Sequence, residues 1–282
     1  MTMTLHRIAV DTAATARTLQ EDGAVFLRGA LGPAQMALVE AAVGESLAQP
    51  SAGARRFFPG TGGTFFEDRG DAATAPRYLE LVRRTGIGRL VADLWDTQEL
   101  WYMGEQLFLK EGGHARRTPW HQDTSYLRIR GDHLIGVWIS LDPLPARHSL
   151  EVVRGSHHGT LYNGSAFDPA DDTAPLYRTQ ALPRLPDIQA NRDAWDILSW
   201  DTEPGDLLLF HIGALHGGAG TEPGMRRRTV SLRFMGPDAF YETRPDDEDD
   251  SVAGNDNIMA AVYAGMKDGQ PFRHPMYPAV TL

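Results

Sequence analysis

The sequence predicts a mainly β protein, an antiparallel double-sheet barrel of the jelly-roll type with flanking helices packed outside. Three observations carry this. Short apolar runs separated by Gly/Pro turns crowd the chain from Leu100 to Phe234, helical spacing dominates before Leu100, and neither an internal repeat nor a linker composition interrupts the chain. Closely spaced strands that follow a block of helices bury their apolar faces as two facing sheets. With 282 residues and 42% hydrophobic composition the chain can bury a full-sized core, so residues 1–282 read as a single domain.

The elements follow in order. Asp11 caps a helix through about Glu21, Asp22-Gly23 ends it, and Ala24 to Leu27 is a short strand. Gly32-Pro33 opens a second helix, on which Met36, Val39, Ala42, Val43 and Leu47 recur at helical spacing and pack one face on a sheet. Phe57 to Phe66 is glycine-rich and aromatic without the Gly-Lys-Ser/Thr ending of a phosphate-cradling loop, so it reads as a surface loop whose Phe57, Phe58, Phe65 and Phe66 border a pocket. A third helix runs from about Pro76 to Trp95, with a break expected at Gly86-Ile87-Gly88.

Strands then take over. Leu100 to Lys110 is aromatic and apolar, and Leu134 to Leu141 is the nearly continuous apolar run of a strand buried on both faces. Leu150 to Val153 is a shorter strand. Residues 160–196 are proline-rich, polar and aperiodic, the character of a lid or substrate loop inserted into the domain; the plain alternative is a surface excursion. Glu203-Pro204-Gly205-Asp206 turns between Ile197 to Trp200 and Leu207 to His211, and Arg226 to Phe234 is the last clear strand. Asn257 to Met266 reads as another helix.

Composition excludes several functions. Zero cysteines rule out disulfides, thiolate metal sites and cysteine nucleophiles, leaving nitrogen and oxygen as metal donors. A formal net charge of −10 argues against nucleic-acid binding, which needs a basic face. Asp246 to Asp250 reads as a solvated loop because consecutive carboxylates diverge. No apolar run reaches the roughly eighteen residues of a membrane span, and Met1 to His6 lack the order of a secretory signal, so no membrane association and a cytoplasmic location are expected.

The chemistry centres on His121-Gln122-Asp123. In an extended segment His121 and Asp123 project from the same face and can share one metal ion. Alone this is weak evidence; the plain alternative is a strand-end histidine beside a solvated aspartate. A distant histidine would complete the two-imidazole, one-carboxylate set associated with non-haem Fe(II) oxygenases. His211 ends an apolar strand, whereas His216 precedes a glycine-rich turn where backbone can approach a metal closely, so His216 is preferred. Farther on, Arg227, Thr229 and Ser231 share one strand face while Val230, Leu232 and Phe234 share the other. A buried guanidinium needs an anion, and a dicarboxylic co-substrate held by the metal at one end and by Arg227 at the other explains the arrangement, with Thr229 an extra donor.

Gln106, Lys110, Pro119-Trp120-His121-Gln122-Asp123, Trp138, Gly155-Ser156-His157, Pro204-Gly205-Asp206 with Phe210-His211, and His216-Gly217 followed by Arg227 together resemble the phytanoyl-CoA dioxygenase family, in order and spacing, from about Leu19 to Phe234. The resemblance implies a double-stranded β-helix, the cupin-like barrel, and an enzyme using Fe(II), 2-oxoglutarate and O2. It implies His121, Asp123 and His216 as iron ligands, Arg227 as partner of the distal 2-oxoglutarate carboxylate, and Gln122, Trp138 and Gln106 near the co-substrate. The expected reaction is hydroxylation of an unactivated C–H of a small molecule with release of succinate and CO2; the alternative is a noncatalytic metal- or ligand-binding barrel of the same fold. Asp123 is retained, which implies an oxygenating rather than a halogenating member. Two departures, Arg147-His148-Ser149-Leu150 in place of Asn-Gly and Arg154 in place of proline, lie outside the ligand set. His114, Arg116, Arg117, Arg128 and Arg130 surround the motif and suggest attraction of an acidic substrate or a CoA phosphate, against a plain reading as exposed loop charge.

Overall fold

The structure is a computed structural model and describes residues 7–57, 63–113, 115–244 and 262–282. The chain runs α1 (Thr12–Asp22), β1 (Ala24–Leu27), α2 (Pro33–Ala48), β2 (Arg55–Phe57), β3 (Thr64–Asp68), α3 (Ala75–Thr85), α4 (Ile87–Leu94) and β4 (Trp101–Glu111). It continues through β5 (Ile129–Arg130), β6 (Leu134–Ser140), β7 (Leu150–Val153), β8 (Ile197–Leu198), β9 (Leu207–His211), β10 (His216–Gly218), β11 (Arg227–Met235) and β12 (Phe240–Tyr241). Local chemistry sets the helix bounds as expected. Asp11 Oδ1 accepts from the Ala14 N–H and caps α1, and Gly86, at φ 80°, takes the left-handed conformation that separates α3 from α4.

Two antiparallel sheets form the double-stranded β-helix. The major sheet has the order β1-β9-β6-β11-β4-β3-β2 and the minor sheet β10-β7-β8, so that from β6 to β11 the chain passes back and forth between them. The major sheet sorts its residues by face. Val230, Leu232 and Phe234 of β11, Ile135, Val137 and Ile139 of β6, and Leu207 and Leu209 of β9 share one core with Val39, Val43, Leu81, Val82 and Leu90 of the helices. Burial of each such side chain contributes about 1.5–3 kcal/mol. The alternate residues face the minor sheet, where Leu134, Trp138, Leu208 and Phe210 pack with Leu150 and Val152. β6 is buried along its whole length, which is why it reads as an unbroken apolar run.

One expectation fails. The aromatic stretch from Phe57 is not simply a surface loop: β2 and β3 form a hairpin on the edge of the major sheet, with Phe57 opposite Phe65 and Phe65 opposite Lys110. Phe65 and Phe66 are buried on opposite faces of that sheet edge, so their aromatic character serves the cores as well as any pocket. Phe58, the acidic run from Asp246 to Asp250 and residues 257–261 of the expected 257–266 helix lie outside the described residues, and of the rest only Val262 and Tyr263 are helical. No helix among the described residues is long and apolar enough to cross a membrane.

Candidate metal centre

His121 and His216 are joined by backbone before any metal is considered. Each donates its N–H to the other's carbonyl at 2.9 Å, an isolated bridge that adds His121 to the edge of β10. Directly paired residues point to the same face, and the two imidazole centroids lie 4.3 Å apart. Asp123, two residues on, opens a short 3-10 turn and anchors it by donating its N–H to Ile212 O. Its Oδ1 stands 3.4 Å from His121 Nε2 and 3.9 Å from His216 Nε2. His121, Asp123 and His216, all buried, form a set whose ligand atoms lie within 4.8 Å of one another. For metal bonds of about 2.1 Å, donors at right angles stand roughly 3 Å apart, so one ion fits with small adjustments.

The protonation pattern suits a metal. His121 Nδ1 lies 2.8 Å from Pro119 O and His216 Nδ1 lies 2.9 Å from Ala214 O. Backbone carbonyls accept at both, which puts the protons on Nδ1 and leaves both Nε2 lone pairs free. Burial, then the neighbouring His121, lowers the His216 pKa to about 3, so its ring is neutral at ordinary pH. Burial alone would raise the Asp123 pKa; Arg233 and the two histidines outweigh it and hold the carboxyl well below its ordinary range. His211, the rival third ligand, has both nitrogens engaged, Nε2 at Gly131 O and Nδ1 accepting from the Gly213 N–H.

The glycines after His216 form a strand rather than the expected turn, and they serve a different neighbour. A Cβ on Gly218 would lie 3.1 Å from Arg227 Nη2 and 3.4 Å from Nη1. Arg227 is 2% exposed, lies over the Trp138 ring at 5.7 Å, and its Nε has no hydrogen-bond partner. Burial lowers its pKa to about 10; because arginine keeps its proton in proteins, the shift expresses the cost of burying the charge. Thr229 Oγ1 and Ser231 Oγ, next along the same inward face, are also buried without partners. Lys110 sits directly opposite Arg227, with Nζ donating to Arg116 O, Ala219 O and Thr118 Oγ1. An arginine, a lysine whose pKa is pushed well below its ordinary value by burial and then by Arg227, and two free hydroxyls therefore line one end of the inner face.

A family model described as phytanoyl-CoA dioxygenase (PhyH) matches residues 19–229. The chain belongs to the phytanoyl-CoA dioxygenase family. A probable phytanoyl-CoA dioxygenase of Caenorhabditis elegans is 25% identical over 175 residues, 60% of this chain and 54% of the relative, so the chain spans about half the length of the curated relative it matches. Solved structures share the fold. The non-heme alpha ketoglutarate dependent carbocyclase SnoK from nogalamycin biosynthesis has a TM-score of 0.66 at 16% identity over 100% of both chains. The epimerase SnoN gives 0.65 at 17% identity over 95% of this chain and 98% of its own, and EctD from S. alaskensis 0.55 at 17% over 84% and 82%.

The other residues singled out in this phytanoyl-CoA dioxygenase family member take the following places. Gln122 points away from the two ligands: its Nε2 donates to Gly213 O and Thr160 O, and its Oε1 accepts from the Tyr162 N–H. It ties the start of the 160–196 segment to the barrel. Trp138 faces inward opposite Ser231. Gln106 accepts from Arg233 and donates to Glu67. The basic residues around the motif do not form one patch: Arg117 pairs with Glu151, Arg116 with Asp172 and Arg130 with Glu242, Arg128 stacks on Tyr263, and His114 lies outside the described residues. Arg154, the departure from proline, bridges Asp22 and Asp196.

Arg233 is the residue that sequence reasoning missed. Its Nε donates to Asp123 Oδ2 at 2.7 Å. The period-two alternation from Arg227 already placed it on the inward face, but its partner stands 110 positions earlier. Phe167 was missed as well: from within residues 160–196, at φ 56°, its ring meets His121 and Tyr126 edge-on or tilted.

Proposed function

We propose that this chain is an Fe(II)- and 2-oxoglutarate-dependent dioxygenase that hydroxylates an unactivated C–H of a small molecule and releases succinate and CO2. Arg227 is the observation that carries the reading. A histidine-carboxylate triad alone also suits hydrolytic metals, but a buried guanidinium with no anion beside it calls for a carboxylate on the ligand, and 2-oxoglutarate brings one at its far end. Two imidazoles and a carboxylate on one side of the ion suit Fe(II), and solved relatives of the fold contain 2-oxoglutarate or iron.

Bound Fe(II) with 2-oxoglutarate supplies the O2-dependent oxidation that no side chain can supply. The protein's part is binding and placement. His121 and His216 offer Nε2 and Asp123 offers Oδ1 to the ion. Arg227 grips the distal carboxylate through charge-assisted hydrogen bonds, Thr229 adds a hydroxyl donor, and Lys110 deepens the positive potential. Trp138 flanks the guanidinium and keeps water from it. We extend the proposal to residues 160–196 as a lid, because Tyr162, Ser165 and Tyr177 are bonded to Ser125 and Tyr126 beside the triad and Phe167 covers His121.

The family's description as a dioxygenase favours oxygen insertion, whereas SnoN and SnoK are described as an epimerase and a carbocyclase. Anaerobic Fe(II) and 2-oxoglutarate should give a weak visible charge-transfer band, and O2 should then release succinate in wild type and not in Asp123→Ala. Absence of both signals sinks the dioxygenase reading. In a substrate screen, a product heavier by one oxygen supports hydroxylation; a product without it moves the reaction to desaturation or rearrangement.

A further inference from the structure

The second guanidinium on the inward row of β11 touches the triad itself. Arg233 Nε donates to Asp123 Oδ2 at 2.7 Å, and its Nη2 donates to the Gln106 oxygen. The Gln106 nitrogen donates in turn to Glu67 on β3, which also pairs with Arg69 at 3.0 Å. The strands beside Arg233 are irregular. Arg233 lies across from Gly136 on β6 and from Gly104 on β4, where the β4–β11 register slips between Arg233 and Phe234. The slip leaves Met103 of β4 as an extra residue, a bulge that adds local twist, while a Cβ on Gly136 would run into the Phe210 ring at 2.6 Å, so that position admits only glycine.

With Oδ2 taken, Asp123 presents Oδ1 to the Nε2 atoms of His121 and His216. A carboxylate without such a partner rotates, or chelates through both oxygens and occupies a second position on the ion. We propose that Arg233 is the positioning residue of the metal centre, fixing Asp123 as a one-oxygen ligand, and that Gln106 and Glu67 hold Arg233 in place. The proposal rests on the metal-binding reading above. It has a built-in rival of opposite sign: a guanidinium this close to the site also repels a divalent cation, so if charge alone matters, its removal tightens metal binding.

Co(II) is the probe, because its d–d absorption reports ligand number and geometry. Wild type, Arg233→Met, Arg233→Lys and Gln106→Leu are titrated with Co(II) without co-substrate, after thermal unfolding of each metal-free protein confirms folding. Arg233→Met should bind Co(II) about 10–100-fold more weakly, the usual effect of losing a partner that orients a metal ligand, with an altered d–d envelope. Arg233→Lys, which keeps the charge and a donor, should recover part of that affinity, and Gln106→Leu should show a smaller loss of the same sign. Equal or tighter binding by Arg233→Met with an unchanged spectrum overturns the proposal. Should Arg233→Met fail to fold, wild-type affinity and spectrum in both remaining variants overturn it instead. A wild type that binds Co(II) no better than Asp123→Ala overturns the metal reading itself.

Discussion

Strand β11 carries an arginine near each end of its inward row, and the fold treats them oppositely. Arg227 is buried with its Nε unpaired, a ring of Trp138 beside it and no carboxylate among the described residues within salt-bridge reach. Arg233 has a carboxylate and an amide in hand. An unpaired buried charge works against folding, so its presence points to an anion that arrives later; a paired one shapes what is already there. On the proposed function, one strand thus carries a co-substrate end and a metal end, with the unpartnered hydroxyls of Thr229 and Ser231 between them.

Asp123→Ala has the largest expected effect because it breaks the contrast. It removes a ligand and leaves Arg233 as unpaired as Arg227. O2-dependent succinate release should fall to background, and the metal-free protein should unfold at lower temperature than wild type. Background turnover in wild type and variant alike leaves a binding protein as the better account.

Acid separates the two ends next. In the metal-free protein Asp123 has a depressed pKa, so its pairing with Arg233 stabilises the fold above the ordinary carboxylate range and is lost as pH falls through the lowered value. Breaking a buried pair typically costs on the order of 3 kcal/mol. Arg233→Met should therefore be destabilised by about that amount above roughly pH 5, with the deficit shrinking toward pH 3. Arg227→Met, which lacks a titrating partner, should show no such trend in urea unfolding across the same range.

Much of this contrast was legible in the sequence because β11 alternates strictly. Val230, Leu232 and Phe234 pack on the helices, which leaves Arg227, Thr229, Ser231 and Arg233 for the interior. Alternation assigns faces but not partners. Nothing local links Arg233 to Asp123, and the β4 bulge beside Gly104, across from Arg233, has no periodic signal. The β2–β3 hairpin was hidden for a related reason: its strands are short and the sequence between them is glycine-rich, so the edge of the sheet looked like a loop. Gln122 was placed on the opposite face from its neighbours by the same alternation, and the structure puts it there, holding Thr160 and Tyr162.

Arg227→Met probes the co-substrate end. Loss of even one charge-assisted bond, about 1.5–3 kcal/mol, raises the 2-oxoglutarate dissociation constant roughly 10- to 150-fold. Its metal-free stability should match or exceed wild type, since an apolar chain replaces a buried unpaired charge. Wild type loaded with metal gains about 2.7 kcal/mol at a co-substrate concentration 100 times its dissociation constant; at that concentration the variant should gain only about 0.3–1.4 kcal/mol. A variant with wild-type affinity for 2-oxoglutarate would remove Arg227 from the co-substrate site.

The smallest effects lie between the arginines and test whether the row is graded. Thr229→Val keeps the shape and deletes one hydroxyl, and Ser231→Ala does the same at the next inward position. Both hydroxyls are buried without partners in the ligand-free protein, so each deletion should leave that protein unchanged or stabilise it by up to about 1 kcal/mol. A neutral hydrogen bond to 2-oxoglutarate contributes about 1 kcal/mol, so Thr229→Val should weaken the co-substrate several-fold. Ser231→Ala, one step nearer Arg233, should weaken it less. Calorimetric titration of the Fe(II)-loaded proteins under nitrogen measures both. If Ser231→Ala loses more than Thr229→Val, the co-substrate reaches farther toward Arg233 than the unpaired guanidinium implies, and the boundary between the two ends moves past Ser231.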